Sequence, residues 1–366
     1  MNLALTEMRR ARLRFGLLTS AVALLVFLIV FLSSLSGALL RSFTGALESL
    51  PADGLGYSQG SRSNVQASRL DRSAVADVAA VPGVQAVGAL SVLATNAEIA
   101  GTPEQLQVVG VQPGTPSEPT GLREGRFPRA DDEVAVDATS VEVRLGDTVA
   151  VRGSDVPLTV TGRLVGTQFG SDTAWMTASG YDALVRALNP GLVEVPVNAV
   201  AFRVAPGQDP QQVVQRIGEQ LPGVQALTRD DAVAAIPGAE SVGQTFRLLV
   251  AITFVIGVVV VGFFFLILTV QKLRVFTLLR ATGASTGRLA GTVVTQIVAV
   301  VLAASAAATV LAWGALTGLS TGLPVRIDPV STAGVVGAVL VASLGAGLLS
   351  VRRIAQIQPA TAAGAR

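Results

Sequence analysis

Asp131, Asp132 and Glu133 stand side by side, the densest carboxylate cluster of the chain and residue types that hold calcium. The spaced ligands and the glycine of a calcium loop are missing. The cluster runs straight into the alternating "VAVD", so it reads as a solvated turn before a strand. With no histidine and no cysteine, histidine acid/base catalysis, thiol nucleophiles and the usual zinc ligand sets are absent. Lys272 is the sole lysine, and it follows Gln271 without the glycine frame of a GxxxxGK[ST] phosphate loop. No catalytic residue and no metal site is assigned, and any ATP the protein uses must be bound by another chain.

What the composition does specify is a membrane protein. Half of the 366 residues are hydrophobic and only 14% are charged, far from a soluble profile. Uncharged runs cover 15–40, 248–271, 289–325 and 329–351, each long enough for the roughly 20 residues of a transmembrane helix. Four spans are therefore expected, at 15–40, 248–271, 289–319 and 329–351. Residues 41–247 hold 15 Arg against 23 Asp plus Glu, whereas 1–14, 272–288 and 352–366 are basic. Four spans put those three basic segments on one side, and basic short loops mark the cytoplasmic side. The expected protein is a multi-pass one of the cytoplasmic (inner) membrane. Its N-terminus (1–14), loop 272–288 and tail (352–366) lie inside; loop 320–328 and a large domain, 41–247, lie outside. The first apolar run is longer than the roughly 7 to 15 residues of a signal-peptide core, so it reads as an uncleaved anchor.

The outside domain, lacking cysteines, must be held together by burial alone. Residues 41–68, broken by Pro51, Gly54, Gly56 and Gly60, read as a helical extension fading into a loop. "DRSAVADVAAVPGVQAVGAL" (71–90) and "DPQQVVQRIGEQLPGVQALT" (209–228) each read as an amphipathic helix, the turn "PGVQA" and a strand, with Asp209 as N-cap of the second helix. The sequence leaves open whether this is a pseudo-repeat or a common turn that recurred. Between them, "DEVAVD", "DTVAVRG" and "PLTVTGRLVG" alternate with period two, predicting a β-rich subdomain over about 121–177, inserted in an α+β core. Asn189-Pro190-Gly191 marks a turn, and "VPVNAVAFRVA" another strand. The fold class expected is thus an α-helical membrane protein with four transmembrane helices and a mixed α+β extracytoplasmic domain between spans 1 and 2.

In the spans, Gln296 is the notable polar residue and is expected to hydrogen-bond a neighbouring helix. Gly314 and Gly318, with Gly334, Gly337, Ala338, Ala342, Gly345 and Gly347, are expected to pack helices tightly within one chain. Spans without charged pathway residues speak against an ion-coupled carrier.

One charged stretch interrupts these runs, "KLRVFTLLRATGASTGRL" at 272–289. Val275, Leu278, Leu279 and Thr282 fall on one helical face, Arg274 and Arg280 lie off it, and Gly283 supplies a helix stop with Ser285 able to cap the next helix. Such a segment either lies on anionic lipid headgroups or docks a soluble partner.

"LRVFTLLRATGAS" resembles the cytoplasmic loop of the MacB/FtsX-like permeases of ABC transporters, typically R-x-E-I-x-x-L-[RK]-A-x-G-A-S. It matches at Leu279, Arg280, Ala281, Gly283, Ala284 and Ser285, with Arg274 one place after the pattern's first arginine. The outside domain is similar too, at Glu124, Gly125, Arg126, Asp132, Glu133, Val134, Gly146, Asp147 and Val149, as is the C-terminus at Arg352, Arg353, Pro359 and Ala360. Val275 and Gln296 depart from the pattern, each standing where a glutamate is common.

The resemblance implies a dimeric permease subunit of the mechanotransmission kind, with no ATPase motif of its own. Lys272, Arg274, Leu278, Leu279, Arg280, Ala281, Gly283, Ala284 and Ser285 form the docking loop for a separate ABC ATPase subunit, which binds ATP and Mg. A homodimer, contact with membrane lipid, and an extracytoplasmic substrate or adaptor are expected; nothing points to nucleic acid. The work implied is export or extraction at the outer face of the membrane. Two alternatives remain: regulation of an extracytoplasmic cell-wall hydrolase, as in the FtsX branch, and a membrane sensor or scaffold without an ATPase.

Overall fold

The computed structural model describes residues 12–271, 286–318 and 329–355. They form two compact units: residues 37–243 make one, and the helical segments up to Ser36 and from Gln244 onward make the other. Helix α1 (Arg12–Glu48) contributes to both.

The first unit, the domain expected outside the membrane, is one ten-stranded sheet with helices on it. In chain order it contains β1 (Gly54–Ser58), α2 (Ser73–Ala79), β2 (Val84–Ile99), β3 (Thr102–Val111), β4 (Leu122–Gly125), β5 (Glu133–Asp137), β6 (Thr148–Val151), β7 (Pro157–Leu164), β8 (Asp172–Thr177), α3 (Ala178–Leu188), β9 (Ala199–Val204), α4 (Pro210–Gln220), β10 (Val224–Thr228) and α5 (Arg229–Ala234). The strands run β10-β1-β9-β2-β3-β8-β5-β7-β4, with β6 joining β2 to β7.

Strands β10, β1, β9 and β2 pair antiparallel throughout. With α2 leading into β2 and α4 into β10, they form an interleaved β-α-β-β-α-β unit of the ferredoxin-like kind. The two "PGVQA" turns occupy equivalent places in its halves, so the recurrence is a structural pseudo-repeat. Capping explains where the second helix starts: the Asp209 carboxylate accepts from the Gln211 amide at 3.0 Å, and Pro210 sets the first turn. Strand alternation then sorts the side chains of β9. Val200 and Phe202 face the two helices through Val78, Val213 and Ile217, while Ala199 and Ala201 face Leu47 of α1 and Leu50 just past its end.

Two sequence readings change here. The stretch 54–58 is a strand at the centre of the four-stranded unit. Its glycines, which looked like breakers, are there because the neighbours come too close for side chains. A Cβ on Gly54 would sit 2.3 Å from Phe202 Cζ and 2.6 Å from the Leu227 carbonyl oxygen. The second change concerns residues 121–177. They supply five strands, but these are continuous with the main sheet, because the 16-residue β2 pairs with β9 at one end and with β3 and β6 at the other. What is separate is the core: Leu106, Val108, Val134, Val160 and Met176 pack with Leu184 of α3 in a hydrophobic cluster of their own.

The helical unit holds α1, α6 (Ala239–Gln271), α7 (Thr286–Gly318) and α8 (Pro329–Ala355). Among the described residues, three helical stretches are long and apolar enough to cross a membrane: Arg12–Glu48, Ala239–Phe264 and Val294–Ala315. Thr332–Gly345 of α8 is a shorter apolar segment. Val22, Val26 and Ile29 of α1 share a core with Val261 of α6, Val300 and Ala304 of α7 and Val339 of α8. The small residues that pack within this unit are Ala304, Ala308 and Ala312, a fully buried i, i+4, i+8 stripe. Four of the glycines expected to do so do not: beyond their own helix, nothing lies within 4 Å of a Cβ placed on Gly314, Gly334, Gly337 or Gly345.

Candidate functional site

Lys272, Arg274, Leu278, Leu279, Arg280, Ala281, Gly283, Ala284 and Ser285 fall outside the described residues, so the site is built from its flanks. The described part of α6 runs to Gln271 and that of α7 from Thr286. Arg14 Nη1 donates to Gln271 Oε1 at 2.8 Å, which ties the start of α1 to the end of α6. The basic start of α1 and the residue from which 272–285 departs therefore share one end of the helical unit. Gln296 lies in α7, 3% exposed, within the unit and away from its apolar outer face. That outer face includes Leu248, Ile252, Val255, Val259 and Phe263 of α6, all exposed, as side chains facing lipid or another helix must be.

The outside residues that carried the resemblance turn out to build the sheet. Arg126 Nη1 donates to Glu133 Oε2 at 2.7 Å, and Arg126 Nη2 donates to Glu133 Oε1, a two-pronged pair. Glu133 also accepts from the Arg129 and Ala130 amides at 2.9 and 3.2 Å. Asp147 accepts from the Arg144 amide at 2.8 Å to close a turn, and Arg163 bridges β7 to Glu124 of β4 at 3.1 Å. Asp131 accepts from Thr177 Oγ1 at 2.9 Å and from Ser179 at the start of α3. Among the described residues no group of His, Cys, Asp and Glu has the arrangement of a metal site.

The Arg126 hydrogen bond, followed by that from the Arg129 amide, lowers the Glu133 pKa from 4.5 to about 2. A carboxylate whose folded pKa is depressed contributes stability that is present above its unfolded pKa and lost as pH falls through the folded one. The contribution of Glu133 should fade between about pH 4.5 and about pH 2. The difference in urea midpoint between wild type and Glu133→Gln is expected to shrink across that window and stay constant above it.

The structure also brings together residues that the sequence did not single out. A cavity of about 580 Å³ in the outside unit is lined by Val92 and Leu93 of β2, Tyr181, Val185 and Leu188 of α3, and Arg69. Asn198 organises one wall. Its Nδ2 donates to the Val65 and Ser68 carbonyls at 3.0 and 2.9 Å, and its Oδ1 accepts from the Val92 amide at 2.8 Å. Tyr181 is buried hard against Gly110, where a Cβ would lie 2.4 Å from that of Tyr181. Arg69 and Tyr181 are 112 positions apart, and the only hint in the sequence was that Tyr181 is one of two tyrosines.

Long apolar helices and a large α+β unit define a membrane protein with an extramembranous domain. Comparison with known proteins makes this specific. Residues 15–220 match the model of the MacB-like periplasmic core domain, and residues 247–359 match that of the FtsX-like permease C-terminal domain. The chain belongs to the MacB/FtsX-like family of ABC transporter permeases. It is 22% identical over 291 residues to a Staphylococcus epidermidis protein assigned as the hemin transport system permease HrtB, covering 79% of this chain and 78% of that one. A Staphylococcus haemolyticus counterpart is 22% identical over 298 residues, with the same coverage of both. Among solved structures, the periplasmic region of MacB from Actinobacillus actinomycetemcomitans aligns at TM-score 0.38 and 12% identity, covering 52% of this chain and 96% of that chain. The extracellular domain of YknZ from Gram-positive bacteria aligns at TM-score 0.35 and 12% identity, covering 47% and 98%.

Proposed function

We propose that the chain is the membrane subunit of a mechanotransmission ABC exporter. In this reading it crosses the cytoplasmic membrane four times, with both termini and 272–288 inside and 41–247 outside. Two copies pair, and each docks one ATPase subunit on Leu278, Leu279, Arg280 and the Gly283-Ala284-Ser285 turn. ATP and Mg are held by that ATPase. Its closure moves α1 and α6, which run directly into the outside unit, so nucleotide energy becomes work on a molecule beyond the membrane. The observation that carries this reading is the pair of family matches over 15–220 and 247–359 in a chain lacking a phosphate-binding loop. The likeness to permeases assigned to hemin transport favours a hydrophobic or amphipathic substrate such as hemin over hydrolase regulation.

The test is association of the reconstituted chain with the ABC ATPase encoded beside it. Binding accompanied by faster ATP hydrolysis is expected, and a chain that leaves that ATPase free and unstimulated would contradict the proposal.

A further inference from the structure

The cavity over β2 and α3 carries features that packing alone does not require. At about 580 Å³ it lies within the 300–1,000 Å³ of small-molecule sites, and its floor is apolar, including Val92, Leu93, Val185 and Leu188. Two polar groups meet this surface with hydrogen-bonding capacity to spare. Arg69 Nη1 is held by the Gln66 and Ser68 carbonyls at 2.7 and 2.8 Å, while its Nε and Nη2 have no partner among the described residues. The Tyr181 hydroxyl likewise has none, and burial keeps its pKa well above the usual phenol value, so it remains a donor at neutral pH.

The lining contains no carboxylate. One nearby acid, Asp182, is occupied by Arg72, whose Nε also donates to the Val195 carbonyl at 3.3 Å; Glu194, next to Val195, is exposed to solvent. The guanidinium of Arg69 forms no ion pair among the described residues. The wider negative field is screened over about 10 Å at ordinary salt, so the local cation decides which charge can settle there. Beside Leu192 of the lining, Val193 is 94% exposed.

We propose that this cavity binds an amphipathic anion, an apolar body bearing one carboxylate, with the body on Val92, Leu93, Val185 and Leu188 and the carboxylate on Arg69 and the Tyr181 hydroxyl. Asn198 is a positioning residue, because it fixes the segment carrying Arg69 against β2. The proposal goes beyond ATPase docking and is tested without it, so either can fail while the other stands.

The experiment uses the full chain in lipid nanodiscs, titrated calorimetrically with biphenyl-4-carboxylate and with its neutral counterpart biphenyl-4-carboxamide, against empty nanodiscs. Saturable binding of the carboxylate is expected, with the amide at least about 10-fold weaker, as befits loss of a charge-assisted hydrogen bond. Arg69→Gln should weaken carboxylate binding about 10- to 100-fold and leave the amide unchanged, while Arg69→Lys retains most of the preference. Tyr181→Phe should cost the carboxylate several-fold, and Leu93→Trp, which fills the floor, should abolish both. Equal affinity of wild type for acid and amide would overturn the proposal. So would no saturable binding above empty nanodiscs, or unchanged binding in folded Arg69→Gln.

Discussion

Trp175→Ala is expected to destabilise the outside unit by about 3–5 kcal/mol, the range for removing a large aromatic from a close-packed core. Trp175 is fully buried in β8, all six residues of which are buried. It pairs with Val109 of β3 on one side and Ala135 of β5 on the other, so it sits in the interior of the sheet, with β3 between it and the ferredoxin-like half. Its indole Nε1 donates to the Thr167 carbonyl at 3.3 Å. Alanine would leave both a cavity and an unpaired buried carbonyl. Phenylalanine would refill most of the volume and isolate the second loss, for which about 1–3 kcal/mol is expected. Hydrogen exchange on the full chain checks this: in Trp175→Ala the amides of β3, β5 and β8 should exchange with those three strands opening together. Unchanged protection would show that the strands are held by other contacts.

The second large effect is expected in the connector. Leu279→Ala, Arg280→Glu and Gly283→Ala combined should weaken ATPase association by about 100-fold or more, since few residues carry most of an interface's energy and a reversed charge adds repulsion. The expectation follows from what the segment lacks. Val275 stands where the resembled loop commonly has a glutamate, so in the proposed docking the affinity is expected to come from apolar burial of Leu278 and Leu279 together with the arginine charges. Pull-down of the ATPase by the triple variant checks this, with Glu133→Gln as a comparison substituted outside the connector that should bind as wild type does. Undiminished association would remove the docking role from these residues.

The sequence revealed elements wherever one segment declared its own pattern. The caps and periodicity at 209–228 foretold α4 and β10, and the period-two runs foretold β5, β6 and β7. It misled where the reason for a residue lies in a distant neighbour. Gly54 is required by Phe202 and Leu227, which no local window contains, so a central strand looked like a loop. In the helices the glycines drew attention, yet close packing within the unit falls to Ala304, Ala308 and Ala312. The cavity was illegible for the same reason: Arg69, Tyr181 and Asn198 come from three separate segments and are assembled only by the sheet.

The most direct test of the central claim uses the absence of cysteine from the chain. Ala281→Cys and Val193→Cys each give a single thiol, one in the connector and one on the outside unit, where Val193 is 94% exposed. Each variant is reconstituted with the ATPase and treated with a short thiol-to-amine crosslinker. The account predicts an adduct with the ATPase from Ala281→Cys alone. An adduct from Val193→Cys, or none from Ala281→Cys while the two proteins remain associated, would contradict it.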